Sequence, residues 1–294
     1  MRLSWHTRRV NLMTGVAAAS ALLAGVVGGL VACDTVVAET PGSPSASEPA
    51  SAAASPYATP PCPRAPFQIQ LDGGVPDDPG AAIVIVDGSV PADAVAALHA
   101  SGTYVVCYLS IGTWEDWRPD ANAFPAAVLG ASLDDWPDER NVDLRALDVL
   151  GPIWAARLDA CAAKGFDAVD PDNIDSFEND SGFPLTADDA VAAWEWVARE
   201  AHARGLAVGQ KNAPSLTPRL VGLADFAVTE QCLEQGWCDD VGAYVAAGKP
   251  VLAIEYVEDG ATLGRWCEAA GVARLSLLVT TLDLPGTGAR CGAA

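Results

Sequence analysis

The sequence is poor in basic residues and in histidine. Lysine and arginine together number 17 against 38 aspartates and glutamates, so the formal net charge at pH 7 is -21. This balance argues against nucleic acid as a partner and allows a cationic ligand, although a salt-tolerant exported protein would look the same. Only His99 and His202 follow the first 33 residues, and the cysteine spacing is not that of a zinc site. We therefore expect no metal and no cofactor.

Long apolar runs are scarce, and the one near the start of the chain is short for a membrane span. Arg8 and Arg9 precede this apolar segment, 16–31, as in a secretory leader. The segment ends in "LVAC", which resembles a bacterial lipobox and makes Cys33 the expected lipidation site. The alternative is an ordinary cleaved leader with an incidental cysteine. "TRRVNLM" also resembles a twin-arginine signal, although Asn11 stands where an aromatic residue is usual, so Sec and Tat export both stay open.

The chain divides into three segments of different composition. Residues 1–33 are the expected lipoprotein-type signal peptide. Residues 34–61 are rich in Ser, Ala and Pro, cannot bury enough surface to offset their ordering entropy, and predict a disordered spacer. Residues 62–294 show no second change of composition and predict one catalytic domain, expected to be a monomer. The protein is then expected at the outer surface of a bacterial membrane through its lipid anchor, or secreted.

Seven cysteines lie in the predicted domain, and in an exported protein most should pair. Cys62 and Cys291 bracket the domain and predict a clasp between its ends. Cys232 and Cys238 are close enough for a small loop bridge. The odd number leaves one thiol free, and Cys107, inside an apolar run, is the expected buried one.

Eight short apolar, β-branched segments recur along the domain, most of them continuously apolar, as in parallel strands buried on both faces. They are "FQIQL", "AIVIVD", "YVVCYLSIG", "FDAVDPD", "LAVGQKN", "DFAVTEQ", "PVLAIEY" and "RLSLLVTT". Helical patterns that end in Gly separate most of them, and Thr186 is the expected N-cap of one. The pattern predicts an α/β fold, a (β/α)8 TIM-barrel-like domain with a degenerate first βα unit. A doubly wound open sheet is the alternative, but no glycine-rich phosphate loop follows the first strand.

Polar residues gather at the carboxyl ends of the predicted strands, where the active sites of such barrels lie. The candidate substrate-binding residues there are Asp72, Asp87, Tyr108, Trp114, Glu115, Asp170, Asn173, Lys211, Asn212, Glu255 and Tyr256. Carboxylates without metal ligands suit glycoside hydrolysis, which needs one acid and one nucleophile or base. Tryptophans at the rim offer flat faces for sugar rings, and these are Trp114, Trp117 and Trp136.

Asp172 and Glu230 are the expected catalytic pair, because both stand at the ends of predicted strands of one barrel. Lys211 is interpreted as a charged partner of Asp172 rather than as a Schiff-base lysine. Two further aspartates, Asp167 and Asp175, are interpreted as helix caps or solvated loop residues.

Five segments resemble glycoside hydrolase family 114, in order and in spacing. They are "CYLSIGTWEDWRPDANAFP", "GFDAVDPDNIDSF", "GLAVGQKNAPSL", "DFAVTEQC" and "GKPVLAIEY". The resemblance covers 67–291 and implies a TIM-barrel-like endo-α-1,4-polygalactosaminidase whose proposed catalytic pair is Asp172 and Glu230. Asp170 departs from the family pattern, which leads us to expect a glutamate before the proline.

Two other functions compete with this one. "FDAVDPD" also resembles the strand motif of family 18 chitinases, but the position of their acid is Ile174 here, which excludes that mechanism. A catalytically silent sugar-binding lipoprotein, or a glycosidase of another specificity, stays open. For the hydrolase we predict retention, with Asp172 as nucleophile and Glu230 as acid/base. Since Glu230 has no cationic neighbour in sequence, we expect its pKa to be raised.

Overall fold

The computed structural model describes residues 62–71, 74–76, 80–259 and 263–291. The predicted signal peptide (1–33) with Cys33, the predicted spacer (34–61) and the candidate residue Asp72 lie outside these ranges. None of the helices in the described ranges combines the length and the apolar character that a membrane span requires.

Twelve strands and seven α-helices alternate along the described chain. The strands are β1 (Phe67–Gln70), β2 (Ile83–Asp87), β3 (Tyr104–Ser110), β4 (Thr113–Glu115), β5 (Leu129–Ser132), β6 (Glu139–Val142), β7 (Ala168–Asp172), β8 (Ala207–Lys211), β9 (Phe226–Glu230), β10 (Val251–Tyr256), β11 (Ser276–Thr280) and β12 (Ala289–Arg290). The helices are α1 (Ala92–Ala100), α2 (Leu147–Lys164), α3 (Ala187–Ala203), α4 (Thr217–Leu220), α5 (Cys232–Gln235), α6 (Gly242–Ala246) and α7 (Leu263–Ala273).

The large sheet is a nearly closed barrel in the order β1-β2-β3-β7-β8-β9-β10-β11-β12. The first eight of these strands are parallel, and β12 pairs antiparallel with β11. The two edges meet where Leu71 N–H donates to Leu284 O at 3.2 Å and Gln70 bridges Pro285. All eight predicted strands are present, so the predicted TIM-barrel-like fold is confirmed.

Residues along each strand alternate between the barrel interior and the layer beneath the helices. In β2, Ile83 and Ile85 belong to the inner cluster, whereas Val84 and Val86 belong to the outer one. Gly209 of β8 leaves room inside the barrel for Phe226, because a Cβ at this glycine would lie 2.6 Å from the phenyl ring. The same alternation turns the last residues of several strands inward, above an apolar interior.

The helices begin and end much as their sequence predicts. Thr186 caps α3 in a capping box with Asp189, which confirms the predicted N-cap. Gly102, Gly165 and Gly205 follow α1, α2 and α3 with φ of 82°, 88° and 77°, the left-handed region that ends a helix. Between β1 and β2 the described residues contain no helix, as expected for a degenerate first unit.

A second sheet, of three short antiparallel strands in the order β4-β6-β5, is inserted after β3, and the sequence analysis missed it. Gly112 joins β3 to this sheet at a point where any Cβ would collide with the backbone carbonyl of Asn173. The insertion therefore rests directly on the chain that leaves β7.

The disulfides differ in part from prediction. Cys232–Cys238 is confirmed. The Cys62–Cys291 clasp is wrong, because Cys291 bonds to Cys267 instead. Cys107 is not a thiol but bonds to Cys161, which joins β3 to α2. No cysteine within the described ranges is free.

Two aspartates fix helices to strands at the amino ends of the strands. Asp167 Oδ2 lies 2.9 Å from Nε2 of His99 on α1 and accepts the N–H of the second residue of β3 at 2.8 Å. Asp225 makes the same pair of contacts with His202 on α3, at 2.8 Å, and with the second residue of β8, at 2.9 Å. Asp167 is thus a partly exposed loop residue, as one of the two interpretations has it, and its tertiary contacts hold it far from the mouth.

Candidate active site

Three neighbouring strands end in charged residues at the barrel mouth: Asp172 on β7, Lys211 on β8 and Glu230 on β9. Pairing between β7 and β8 stops at Val169, and Pro171 has no N–H with which to extend it. Beyond Val169 the two strands are no longer paired with each other, so they can separate toward the mouth. Lys211 occupies the space between Asp172 and Glu230.

Each of these three residues precedes a non-glycine residue with positive φ. Asn173, Asn212 and Gln231 have φ of 65°, 46° and 59°. Such conformations cost free energy and are found where the surrounding structure enforces them, often at functional sites. These left-handed residues turn the chain sharply away from the barrel. The side chains of Asp172, Lys211 and Glu230, which come just before the turns, therefore stay at the mouth.

Lys211 stands between the two carboxylates. Its Nζ lies 3.2 Å from Oδ2 of Asp172 and 3.2 Å from Oε2 of Glu230. Burial alone would lower the pKa of Lys211, but the charges of Asp172, Glu230 and Asp170 outweigh it and raise the pKa. The lysine is therefore an ammonium group, and the predicted ion pair with Asp172 is confirmed.

Asp172 accepts hydrogen bonds on both oxygens. The N–H of Asn173 donates to Oδ1 at 2.7 Å, and the hydroxyl of Tyr108 donates to Oδ2 at 3.0 Å. Burial and the charge of Asp172 raise the pKa of Tyr108, which therefore keeps its proton. These donors fix the orientation of the carboxylate.

Glu230 is held by side chains of its neighbouring strands. Asn212 Nδ2 donates to Oε2 at 2.9 Å, and the Tyr256 hydroxyl donates to Oε1 at 2.5 Å. Burial acts to raise the pKa of Glu230, but Lys211, Tyr256 and Asn212 together lower it. The prediction of a raised pKa is wrong, because the cation comes from the adjacent strand and not from the sequence around Glu230.

The position of Lys211 limits the separation of the two carboxylates. Since Nζ is 3.2 Å from each oxygen, Oδ2 of Asp172 and Oε2 of Glu230 are at most twice that distance apart. Inverting glycosidases keep their carboxyl groups about 6.5–9.5 Å apart, and retaining ones about 5–5.5 Å. This upper bound on one pair of oxygens is compatible with the shorter separation that retaining enzymes use.

Asp170 lies one inward-facing position below Asp172 and is fully buried. Neither carboxyl oxygen has a hydrogen-bond partner within the described residues. Burial raises its pKa to about 7, a rise that Lys211 opposes and that Asp172 and Glu230 increase. Asp170 therefore lies beneath the mouth rather than on its surface.

Asp87 and Glu115, two further candidates, share one cation that the sequence analysis missed. Arg118 contacts both oxygens of Asp87, at 2.8 and 2.7 Å, and both oxygens of Glu115, at 2.8 and 2.7 Å. Burial acts to raise the pKa of Asp87, but the arginine lowers it overall. Since Arg118 binds all four of these oxygens, the two carboxylates anchor the wall of the mouth.

Two other candidates face away from the mouth. Glu255 alternates with the inward-facing Ile254 and Tyr256, and its carboxylate accepts the N–H groups of Leu233 and Glu234 at 2.8 and 3.2 Å. Trp114 is partly buried against the outer core and donates its indole N–H to a backbone carbonyl at 3.0 Å.

Trp117 and Trp136, by contrast, are 55% and 54% exposed. They stand at the same end of the inserted sheet, where Asp116 N–H donates to Asp138 O at 3.2 Å. Of the three predicted rim tryptophans, these two have rings open to a ligand.

Two more carboxyl groups stand near Asp172. Burial raises the pKa of Glu139, on β6, to about 7, and the charges of Glu115 and Asp172 add to the rise. Burial and the charge of Asp172 raise the pKa of Asp175 to about 6. Asp175 precedes a short 3₁₀ helix but makes no side-chain capping bond, so its interpretation as a cap is wrong. Sequence reasoning missed Glu139.

Within the described ranges, no group of three or more His, Cys, Asp or Glu is arranged to hold a metal ion.

A barrel of this kind with two carboxylates converging at its mouth has the architecture of a glycoside hydrolase. The sequence model of glycoside-hydrolase family GH114 matches residues 47–294, and the chain belongs to this family. The resemblance seen in the sequence is thereby confirmed, and the chain is a glycoside hydrolase.

Two solved structures and one curated protein are similar to this chain. Ega3 of Aspergillus fumigatus, solved in complex with galactosamine, is 33% identical with a TM-score of 0.75, over 79% of this chain and 96% of that one. The glycoside hydrolase domain of PelA from Pseudomonas aeruginosa shares the fold at 17% identity, with a TM-score of 0.60 over 76% and 97% of the two chains. An uncharacterized protein of Deinococcus radiodurans is 27% identical over 219 residues, 64% of this chain and 68% of that protein.

Proposed function

We propose that this hydrolase cleaves α-1,4-linked galactosamine-containing polysaccharide at internal bonds, with Asp172 and Glu230 as its catalytic pair. The observation that carries the proposal is the convergence of both carboxylates on Lys211 at the mouth. The likeness to Ega3, which was solved with galactosamine, supports the choice of sugar. The net charge of -21 suits a polymer that is cationic wherever it is deacetylated.

In the proposed first step Asp172 attacks the anomeric carbon, while Glu230 gives its proton to the leaving oxygen. The hydrogen bonds support these roles. Each oxygen of Asp172 accepts from a group that cannot itself accept, the N–H of Asn173 or the ammonium of Lys211. Oε1 of Glu230 contacts only the Tyr256 hydroxyl among the described residues, and a hydroxyl can turn and accept. Glu230 thus has a place for a proton that Asp172 lacks.

In the second step Glu230, now ionised, takes a proton from water, and the oxygen of that water displaces Asp172 from the anomeric carbon. Once Asp172 is esterified, Lys211 has one carboxylate partner fewer at the mouth. The ammonium group of Lys211 then stabilises the negative charge of Glu230 more strongly, which favours the ionised form that acts as base.

The exposed rings of Trp117 and Trp136 are the proposed stacking faces for sugar units along the mouth. Tyr108, Asn173, Asn212 and Tyr256 are proposed to act mainly by orienting the two carboxylates, since each bonds to one of them.

The location of the enzyme is also part of the proposal. The lipobox-like sequence before Cys33 and the Ser, Ala and Pro-rich segment 34–61 support an exported hydrolase held at the cell surface by a lipid anchor and a flexible spacer. We propose that it acts there as a monomer.

Reducing-end release tests the substrate. The purified enzyme should release ends from galactosamine-containing polysaccharide and not from chitin or neutral α-glucans. Asp172→Asn should abolish this release, which shows that the same site is responsible. Cleavage of chitin alone would overturn the assignment, and tight binding without cleavage of any polymer would favour a silent binding protein.

A further inference from the structure

The inserted sheet carries a carboxylate that has no cationic partner among the described residues. Glu139 of β6 stands directly opposite Glu115 of β4, so both side chains lie on one face of the sheet. Arg118 binds both oxygens of Glu115, at 2.8 and 2.7 Å. Oε2 of Glu139 accepts only the hydroxyl of Thr113, at 2.8 Å, among the described contacts. One charge of this opposed pair is therefore neutralised by arginine and the other is not.

A chain of hydrogen bonds connects Glu139 to Asp172. Thr113 Oγ1 lies 2.6 Å from Ser110 Oγ, and Asn173 Nδ2 donates to that Ser110 oxygen at 3.0 Å. The N–H of Asn173 in turn donates to Asp172 at 2.7 Å. Because every link is short and partly or fully buried, the position of Glu139 relative to Asp172 is fixed.

Glu139 lies on the opposite side of Asp172 from Lys211. It belongs to the insertion that follows β3, whereas Lys211 and Glu230 end β8 and β9, beyond β7 in the sheet. The charges that act on Glu139 are those of Glu115 and Asp172, which raise its pKa, and of Arg118, which lowers it. Two like charges act on Glu139, and Arg118, the cation that lowers its pKa, already binds two other carboxylates, so a further cation would be favoured beside it.

The surroundings of Glu139 also fit a sugar. Its N–H donates to the carbonyl of Trp136 at 2.9 Å, so the exposed indole of that tryptophan lies just before it in the same turn. Trp117 stands at the same end of the sheet. An exposed indole at this end of the sheet can stack on a sugar ring, and a carboxylate at the same end can bind an ammonium group that the sugar carries.

We infer that Glu139 is the specificity-determining residue of this site. Its carboxylate binds the ammonium group of a deacetylated amino sugar in the unit that lies on the β3 side of Asp172. A neutral N-acetyl group cannot make this ion pair. The inference rests on the proposed function and adds to it the residue that recognises the amino group of the sugar.

The test compares one polymer in two forms, the deacetylated polysaccharide and the same material after chemical N-acetylation. Glu139→Gln keeps the shape and an acceptor for the Thr113 hydroxyl but removes the charge. We expect kcat/KM on the deacetylated form to fall about 10- to 100-fold, and on the acetylated form to stay within about twofold, so that the preference collapses. Assays at about pH 7 keep the sugar amine largely protonated and leave Glu139 partly ionised in the free wild type, and binding of the ammonium group favours the ionised carboxylate further.

Glu178→Gln is the matched control, because Glu178 is an exposed carboxylate that also accepts from a hydroxyl, that of Ser215, at 2.6 Å. It should leave the preference unchanged. Glu139→Asp keeps the charge and should keep the preference at a lower rate, which covers the case in which the glutamine variant does not fold.

Each outcome separates this inference from the proposed function. A wild type that cleaves the deacetylated polymer, with a Glu139→Gln variant of unchanged preference, overturns the role of Glu139 and leaves the proposed function standing. The same holds if the wild type cleaves both forms equally well. A wild type that cleaves neither form overturns the proposed function, and the role of Glu139 with it.

Discussion

Lys211 Nζ lies 3.2 Å from Oε2 of Glu230, so the residue proposed to give up a proton rests beside a fixed positive charge. The contact opposes protonation of Glu230 and lowers its pKa despite burial. The same ammonium holds Asp172 at an equal distance. One lysine therefore contacts both proposed catalytic carboxylates, so its substitution tests the roles of both.

Lys211→Met should move the basic limb of the kcat/KM–pH profile to higher pH. Without the ammonium, Glu230 keeps its proton at higher pH, while the maximal rate falls roughly 100-fold or more because Asp172 loses its cation. Lys249→Met is the control, since Lys249 bonds the carbonyls of Val221 and Ala224, before β9, at 2.6 Å each. A limb that stays in place or moves to lower pH contradicts the role given to Lys211.

Asp170→Asn should make the protein more stable at neutral pH, with little gain under acid conditions. The pKa of Asp170 is about 7 in the folded protein, against an ordinary value of 3.8. The folded state therefore holds this proton more tightly, and the stability it contributes at low pH is lost as the pH rises to about 7. Over that interval the variant should gain up to a few kcal/mol relative to the wild type.

Urea unfolding at about pH 5 and about pH 8 measures this difference. Asp240→Asn, at an exposed position, should show no such dependence on pH. If the gain of Asp170→Asn is the same at both pH values, the buried carboxyl does not carry the proton assigned to it.

The placement of Asp172 and Glu230 at one mouth could be predicted from the sequence because its signal is local. Asp172 and Glu230 each follow an apolar segment of strand length, and parallel strands of a barrel bring their carboxyl ends together. Lys211 follows the strand between them, so its pairing with Asp172 also follows from strand order alone.

The features that sequence reasoning missed depend on contacts between distant segments. β4, β5 and β6 are short and mix polar with apolar residues, so no hydrophobic periodicity indicates a strand there. Glu139, which lies on β6, was therefore not recognised as a site residue. Cys107 lies in an apolar segment of the sequence, as a buried thiol would. Only the fold, in which α2 places Cys161 beside it, shows that it forms a disulfide. The pKa of Glu230 is set by side chains of β8 and β10, which its own neighbours in sequence do not reveal.

Asp225→Ala should destabilise the fold without changing the activity of the folded enzyme. The variant leaves the backbone N–H of Val208 and the ring of His202 without the carboxylate they share, which should cost about 1–3 kcal/mol in the free energy of unfolding. Asp188→Ala is the control, because its ion pair with Arg219 is exposed and should contribute little. Equal losses in the two variants would contradict a structural role for the contacts of Asp225.

Cys33→Ala should release the enzyme from the membrane fraction or leave an unprocessed precursor, because a lipobox cysteine is the site of acylation. The specific activity should not change, since the barrel does not depend on the anchor. Fractionation and N-terminal analysis of the mature protein check this. A wild type recovered wholly soluble, and cut anywhere other than before Cys33, removes the lipid anchor from the proposal.

Retention predicts the configuration of the first sugar released. The α-linked substrate should give an α reducing end, because two displacements at the anomeric carbon restore the original configuration. NMR during the first turnovers, before mutarotation, detects it. A β reducing end shows that the enzyme inverts, and the role of Asp172 as nucleophile then falls.

Azide distinguishes the two carboxylates from each other. Replacing either by alanine should lower the rate by several orders of magnitude and leave binding nearly intact. In Glu230→Ala, azide replaces water in the second step, attacks the β-linked glycosyl-enzyme and should give an α-glycosyl azide. In Asp172→Ala, azide enters the space of the missing carboxylate, attacks the α-linked substrate directly and should give the β-azide. The opposite pair of products would exchange the two roles, with Glu230 as the nucleophile held ionised by Lys211.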